Sequence, residues 1–220
     1  MAGDSVSDRE AGIVLSKMIE TIHGEAKRLS EIDGAIGDGD HGINMDKGFQ
    51  KCGERLSARQ VGMVEGLAVL GDVLISEIGG SMGPLYGTLF LEMSEGGGAA
   101  KGARIDAEAL RRMLDRGLSA VRDLSGAQVG DKTILDALVP AVEAYRQSVA
   151  AGAGFAAALS ALRDAAQKGM ESTRDLVAKV GRSSRLGERS RGTLDAGAAS
   201  CALLLGAMAD ALRSLLGRAA

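Results

Sequence analysis

Apolar residues recur along most of this chain at intervals of three and four, the spacing that lines one face of a helix. The first stripe runs through Ile13, Leu15, Met18, Ile19 and Ile22 to about Leu29. It opens after Ser7, whose spacing to Glu10 suits a capping box. The same periodicity predicts further helices over residues 44–56, 58–78, 84–95, 106–124, 132–150, 155–180 and 196–218, eight in all. Pro140 falls inside the sixth, where its ring and missing N–H predict a kink. Only 2% of residues are aromatic and Ala, Leu, Glu, Arg and Met dominate the periodic stretches, which leaves little material for a sheet. The predicted fold class is all-α, an up-and-down array forming one domain over residues 1–220.

The polar connections alternate between elaborate and bland. Elaborate ones join helices one and two (DGAIGDGDHG), three and four (residues 79–84, GGSMGP), five and six (125–133, SGAQVGDKT), and seven and eight (181–197, GRSSRLGERSRGTLDAG). In an up-and-down array every second connection falls at the same end, so all four are expected at one rim, where loops on a rigid scaffold build a site.

Composition narrows the class of ligand. A net charge of −3 and a pI near 5.5 argue against a broad nucleic-acid footprint. Cys52 and Cys201 fit neither a zinc motif nor a disulfide framework and are expected as small core residues in a reducing compartment. The N-terminus lacks a basic stretch followed by an apolar one. The longest apolar run, 196–209, is short for a bilayer. The expectation is a soluble cytoplasmic protein with no nucleic-acid or membrane partner.

The densest chemistry lies in EIDGAIGDGDHGINM, where Asp33, Asp38 and Asp40 crowd one glycine-rich turn. Crowded carboxylates repel unless a cation joins them. A hard ion such as Mg²⁺ takes oxygen ligands and shares its remaining positions with phosphates. His41 and Asn44 follow at the start of a helix, where free amides and the positive dipole end favour phosphate oxygens. The blander alternative is a helix cap on a solvated turn. Three other motif readings fail. Gly37, Gly39 and Gly42 match G-x-G-x-x-G with no strand before them. GAQVGDKT has the wrong glycine spacing for a P-loop and reads as a helix start with Asp131 as N-cap. An EF-hand counted from Asp38 ends on Phe49 instead of an acid. His23, within the first helix, is assigned no function.

Four blocks in order, IGDGDHGINMDKGF, IGGSMGPLYGTLF, GDKTILDALVPAVEA and GRSSRLGERSRGTLDAGAAS, closely resemble the L subunit of dihydroxyacetone kinase over nearly the whole chain. The resemblance implies an eight-helix barrel-like bundle with a nucleotide, ADP or ATP, at one end. It matches Asp33, Asp38 and Asp40 to carboxylates holding two Mg²⁺ ions, and His41, Gly42, Ile43 and Asn44 to a phosphate-contacting stretch. Ser81 and Met82 fall in a glycine-rich turn near the nucleotide, while Ser125 and Ile134 align with nucleoside-side contacts. Arg182 matches a nucleotide-contacting arginine, and Asp195, Ala196 and Gly197 match a D-P-G turn with Ala196 replacing the proline. The resemblance further implies phosphoryl transfer to a ketose held covalently on a separate K-type subunit, so this chain is expected to be half an enzyme. The phosphate would come from exchanging ATP, or from bound ADP recharged by an M-type subunit of the phosphoenolpyruvate phosphotransferase system. A kinase subunit for erythrulose, or a nucleotide-sensing partner of a transcriptional regulator, are the alternative roles.

Overall fold

The computed structural model describes residues 4–57 and 60–218. A short strand β1 (Ser5–Ser7) leads into a single helical turn α1 (Asp8–Ala11). Eight long helices follow: α2 (Ile13–Gly34), α3 (His41–Leu56), α4 (Met63–Glu77), α5 (Met82–Gly96), α6 (Ala107–Ser125), α7 (Leu135–Ala150), α8 (Phe155–Ser172) and α9 (Ala196–Arg218). A second strand, β2 (Arg104–Asp106), precedes α6 and pairs antiparallel with β1, Val6 opposite Ile105. Each long helix packs on its neighbours in sequence, and α9 packs back on α2 to close the ring. The bundle is thus barrel-like, and the predicted stripes fill it: Met18, Phe49, Leu67, Phe90, Met113, Leu138, Leu162 and Met208 are all fully buried in one cluster. Phe49 and Phe90 meet edge to face in that cluster, an arrangement that aromatic quadrupoles favour. Cys52 and Cys201 are buried there as free thiols. Helix α9 is long and apolar enough to cross a membrane by length and composition, but most of it is buried against α2, α7 and α8.

Several expectations are corrected. Ser7 makes no side-chain cap bond, so the Ser7–Glu10 capping box does not form. Ser7 is instead paired in the small sheet opposite Arg104, and the neighbouring carboxylate does the capping at a distance. Val64 and Gly102 donate their N–H groups to the two oxygens of Asp8, at 2.9 and 2.8 Å. The third long helix opens there, at Met63; its predicted start at Ala58 lies outside the described residues. Asp4 similarly accepts from Phe155 N at 2.9 Å, fixing the start of α8. The N-terminal segment therefore ties three elements together at the end of the bundle opposite the elaborate loops. Helix α7 continues through Pro140 without interruption. Helix α8 stops at Ser172, well short of Val180: a single 3₁₀ turn, Thr173–Asp175, follows it, and Leu176 turns extended at φ −86° and ψ 152°. Asp131 is not the N-cap of α7, which begins only at Leu135.

Candidate functional site

Alternation of helix direction brings the C-termini of α2, α4, α6 and α8 and the N-termini of α3, α5, α7 and α9 to one rim. The four elaborate connections meet there around a cavity of about 930 Å³. Its walls include Asp33, Asp38 and Asp40 from the first connection, Ser81 and Met82 from the second, Ser125 and Ile134 from the third, and Arg182 with Asp195, Ala196 and Gly197 from the fourth.

The acidic wall is assembled locally. Asp33 sits in the last turn of α2. The chain reverses through Gly39, whose φ of +77° suits glycine, and returns at Asp40 into α3. Helix α3 can seat this close only because residue 42 has no side chain: a Cβ there would lie 1.9 Å from the carbonyl oxygen of Ala26 in α2. The result sets one oxygen each of Asp33, Asp38 and Asp40 within 4.8 Å of one another. Asp33 is half-buried and the other two exposed, so three negative oxygens face the cavity together. Hard oxygen donors converging in this way, with open space before them, fit a divalent cation that shares its coordination with a phosphate. Arg182 forms an ion pair with Asp38 across the cavity mouth.

Backbone dipoles join the carboxylates at this rim. The positive ends of α3, α5, α7 and α9 are gathered there, which favours a polyanion. At α3 the His41 N–H is already directed at Asp33 Oδ2, 3.4 Å away, while Asn44 N donates to Asp40 O at 2.9 Å. At α9 the Asp195 carboxylate caps the helix, accepting from Ala198 N at 2.7 Å. Burial pushes its pKa up to about 7, with Asp136 adding to the rise and Lys132 opposing it. His41 and Asn44 also line the cavity. The imidazole Nε2 of His41 lies 2.8 Å from Ser200 Oγ, which is itself 2.6 Å from the Tyr86 hydroxyl; Tyr86 in turn donates to Gly197 O at 2.9 Å. Burial lowers the His41 pKa to about 4 against the pull of Asp33, so the ring is neutral at pH 7 and is a fixed part of the floor.

Two residues of the expected phosphate stretch put no side chain into the cavity. Gly42 is buried against α2, and the Ile43 side chain is 67% exposed on the outer face between α2 and α3. Four other residues of the site were missed in the sequence. Tyr86 and Ser200 belong to the floor network, and a hydroxyl inside the apolar run of α9 was the available signal. Lys132 lines the cavity while being 1% exposed, and Asp136 accepts from Gly130 N at 2.6 Å and Thr133 N at 2.7 Å, holding the third connection in shape.

A ring of helices that gathers three carboxylates and four helix N-termini around one rim cavity defines a metal-and-phosphate-binding α bundle. Residues 35–210 match the DAK2 domain, and the chain belongs to that family. It is 37% identical over 190 residues to the ADP-binding subunit DhaL of PEP-dependent dihydroxyacetone kinase 1 of Listeria innocua, covering 86% of this chain and 89% of that one. It is likewise 37% identical over 192 residues to the corresponding DhaL subunit of Escherichia coli, covering 86% and 90%. Among solved structures, the dihydroxyacetone kinase of C. freundii in complex with AMP-PNP and Mg²⁺ superposes with a TM-score of 0.66 at 26% identity. That match covers 91% of this chain and 33% of the kinase chain.

Proposed function

We propose that this chain is the nucleotide-binding subunit of a two-component ketose kinase, a single domain that presents ADP or ATP with Mg²⁺ to a substrate held on a K-type subunit. The observation that carries the reading is the cavity itself, with three convergent carboxylates and four helix N-termini around one space. Asp33, Asp38 and Asp40 would hold two Mg²⁺ ions, which supply neutralisation of phosphate charge when bound. The chain's own residues would do the positioning: the start of α3, with the His41 and Asn44 side chains and the amides of Gly42 and Ile43, toward the phosphates, Arg182 beside them, Ser81 and Met82 at the glycine-rich turn, Ser125 and Ile134 toward the nucleoside, and Asp195 to Gly197 across the floor. Since phosphoryl transfer depends chiefly on alignment and charge stabilisation, this machinery needs no covalent step of its own.

A partner surface is supported by the distribution of exposed apolar side chains. Of the six large hydrophobics exposed among the described residues, Ile43, Ile75, Leu124, Val129 and Val180 lie at the cavity end and only Ile13 lies away from it. The names of the two DhaL relatives, both PEP-dependent and ADP-binding, favour ADP that stays bound and is recharged by an M-type phosphotransferase subunit. We propose dihydroxyacetone as the acceptor, with erythrulose the rival whose choice rests with the partner.

Mass analysis of the purified chain under native conditions, before and after EDTA, tests the site. Retained ADP and Mg²⁺ that leave together on chelation support the reading. A chain that binds neither ADP nor ATP in the presence of Mg²⁺ overturns it. Phosphorylation of dihydroxyacetone only when a K-type subunit is added tests the division of labour, and turnover by this chain alone contradicts it.

A further inference from the structure

Lys132 has the geometry of a clasp. It is the non-glycine residue with positive φ among those described, at +63°, and it is 1% exposed although it carries a charge. Both features are unfavourable for a lysine and persist only where the surroundings over-determine them. Its ammonium has three N–H donors, and all three are taken by main-chain carbonyls: Thr173 O at 2.7 Å, Leu176 O at 3.2 Å and Thr193 O at 2.6 Å. An ammonium so saturated has no donor left for a phosphate, which separates Lys132 from a P-loop lysine despite its place in GDKT.

The three carbonyls are not scattered. Thr173 and Leu176 lie where the chain leaves α8, and Thr193 lies where it returns toward α9, so the ammonium joins the two legs of one long excursion. Weaker ties lie beside it, from Gly192 N to Arg174 O at 2.8 Å and from Asp195 N to Thr173 Oγ1 at 3.0 Å. The excursion, residues 177–192, carries Arg182 and Arg185, both of which line the cavity. Lys132 is itself pinned from behind, since Asp136 draws in the N–H groups of Gly130 and Thr133 on either side of it.

We propose that Lys132 is a positioning residue for the nucleotide site: by closing the neck of segment 177–192 it sets where Arg182 stands over the cavity. This rests on the reading of the cavity as a Mg-nucleotide site. It acts through main-chain carbonyls 41 to 61 residues away in sequence, and so couples the third connection, which carries it, to the fourth, which carries Arg182.

The test is a double-mutant cycle read by Mg-ADP affinity, with trypsin cleavage of the ligand-free chain as a second measurement. Lys132→Met is expected to weaken Mg-ADP binding by about tenfold or more, the scale seen when supporting residues behind a site are removed. It is also expected to speed cleavage after Arg182, Arg185, Arg189 and Arg191 while other sites stay protected. In an Arg182→Ala background Lys132→Met should change affinity little, because the loss runs through Arg182. Wild-type affinity in Lys132→Met, or losses that simply multiply in the double variant, overturn the proposal. If Lys132→Met does not fold, Lys132→Gln, whose shorter amide has two N–H donors for the three carbonyls, takes its place. The same dependence on Arg182 is then expected, and its absence again overturns the proposal. A wild type that binds no Mg-ADP instead defeats the functional reading, an outcome distinct from a wild type that binds and a Lys132→Met chain that binds equally well.

Discussion

At the scale of single residues the site separates into groups adjacent in sequence and groups delivered from far away. Asp33, Asp38 and Asp40 fall within one turn, and their convergence to within 4.8 Å was legible because carboxylates so close in sequence have few other places to go. Removing one should leave the metal-free bundle intact and damage only binding. Asp40→Asn is therefore expected to weaken Mg-ADP binding at least about tenfold, with thermal stability in EDTA unchanged or slightly raised; calorimetric titration and a melting curve check both halves. Asp195 was legible as a residue but not as a titrating group, because its burial comes from elements elsewhere in the chain. Its pKa is raised from 3.8 to about 7, so between those values the folded state holds a proton that the unfolded state has released. The carboxyl thus contributes stability at low pH that is lost as pH rises through about 7. Asp195→Asn keeps an acceptor for Ala198 N and cannot ionise. In EDTA its melting temperature should gain on the wild type as pH rises from 4 to 7, with the difference level above 7. A difference that stays constant across that range refutes the assignment.

At the scale of elements, periodicity located all eight long helices, while their ends followed contacts that periodicity does not encode. Helix α8 reads on to Val180 if helical spacing is counted loosely, but the Lys132 ammonium takes the carbonyls of Thr173 and Leu176 that a continuing helix would use. His41 and Ser200, 159 residues apart, and Tyr86 and Ser200, 114 apart, meet only because α3, α5 and α9 face one another at the rim, which no local pattern announces. Glycines divide in the same way. Gly42 is where α3 touches α2, and Gly42→Ala forces a Cβ to 1.9 Å from Ala26 O. An overpacked contact of this kind costs about 1–3 kcal/mol. The shift needed to relieve it moves Asp40 relative to Asp33, so loss of stability and loss of Mg-ADP binding are expected together. Gly24 in α2 is the control, since a Cβ there meets nothing within 4 Å. Gly24→Ala should raise stability by about 0.5–1 kcal/mol through backbone entropy and leave binding untouched. Denaturant melts and titrations of the two variants measure the contrast.

At the scale of the whole molecule the bundle has a working end and a tying end, and the second is built around a buried carboxylate that periodicity alone cannot flag. Asp8 is 3% exposed and accepts from the N–H groups of Val64 and Gly102, so it holds the start of α4 and the turn before β2 to the N-terminal segment. Asp8→Ala leaves the buried Val64 N–H without a partner, at about 1–3 kcal/mol, and loses the bond from the exposed Gly102, at about 1 kcal/mol, so the expected loss is about 2–4 kcal/mol. For a chain of this size that lowers the melting temperature by roughly 10 °C. The helices between the two ends are close-packed, and rigid packing confines such damage when the fold survives. The folded Asp8→Ala chain, titrated well below its melting temperature, should therefore bind Mg-ADP with wild-type affinity, in contrast to Gly42→Ala, which loses stability and binding together. If Asp8→Ala also weakened nucleotide binding in proportion to its loss of stability, the two ends would be energetically coupled along the helices, and the far end would have to be counted as part of the site.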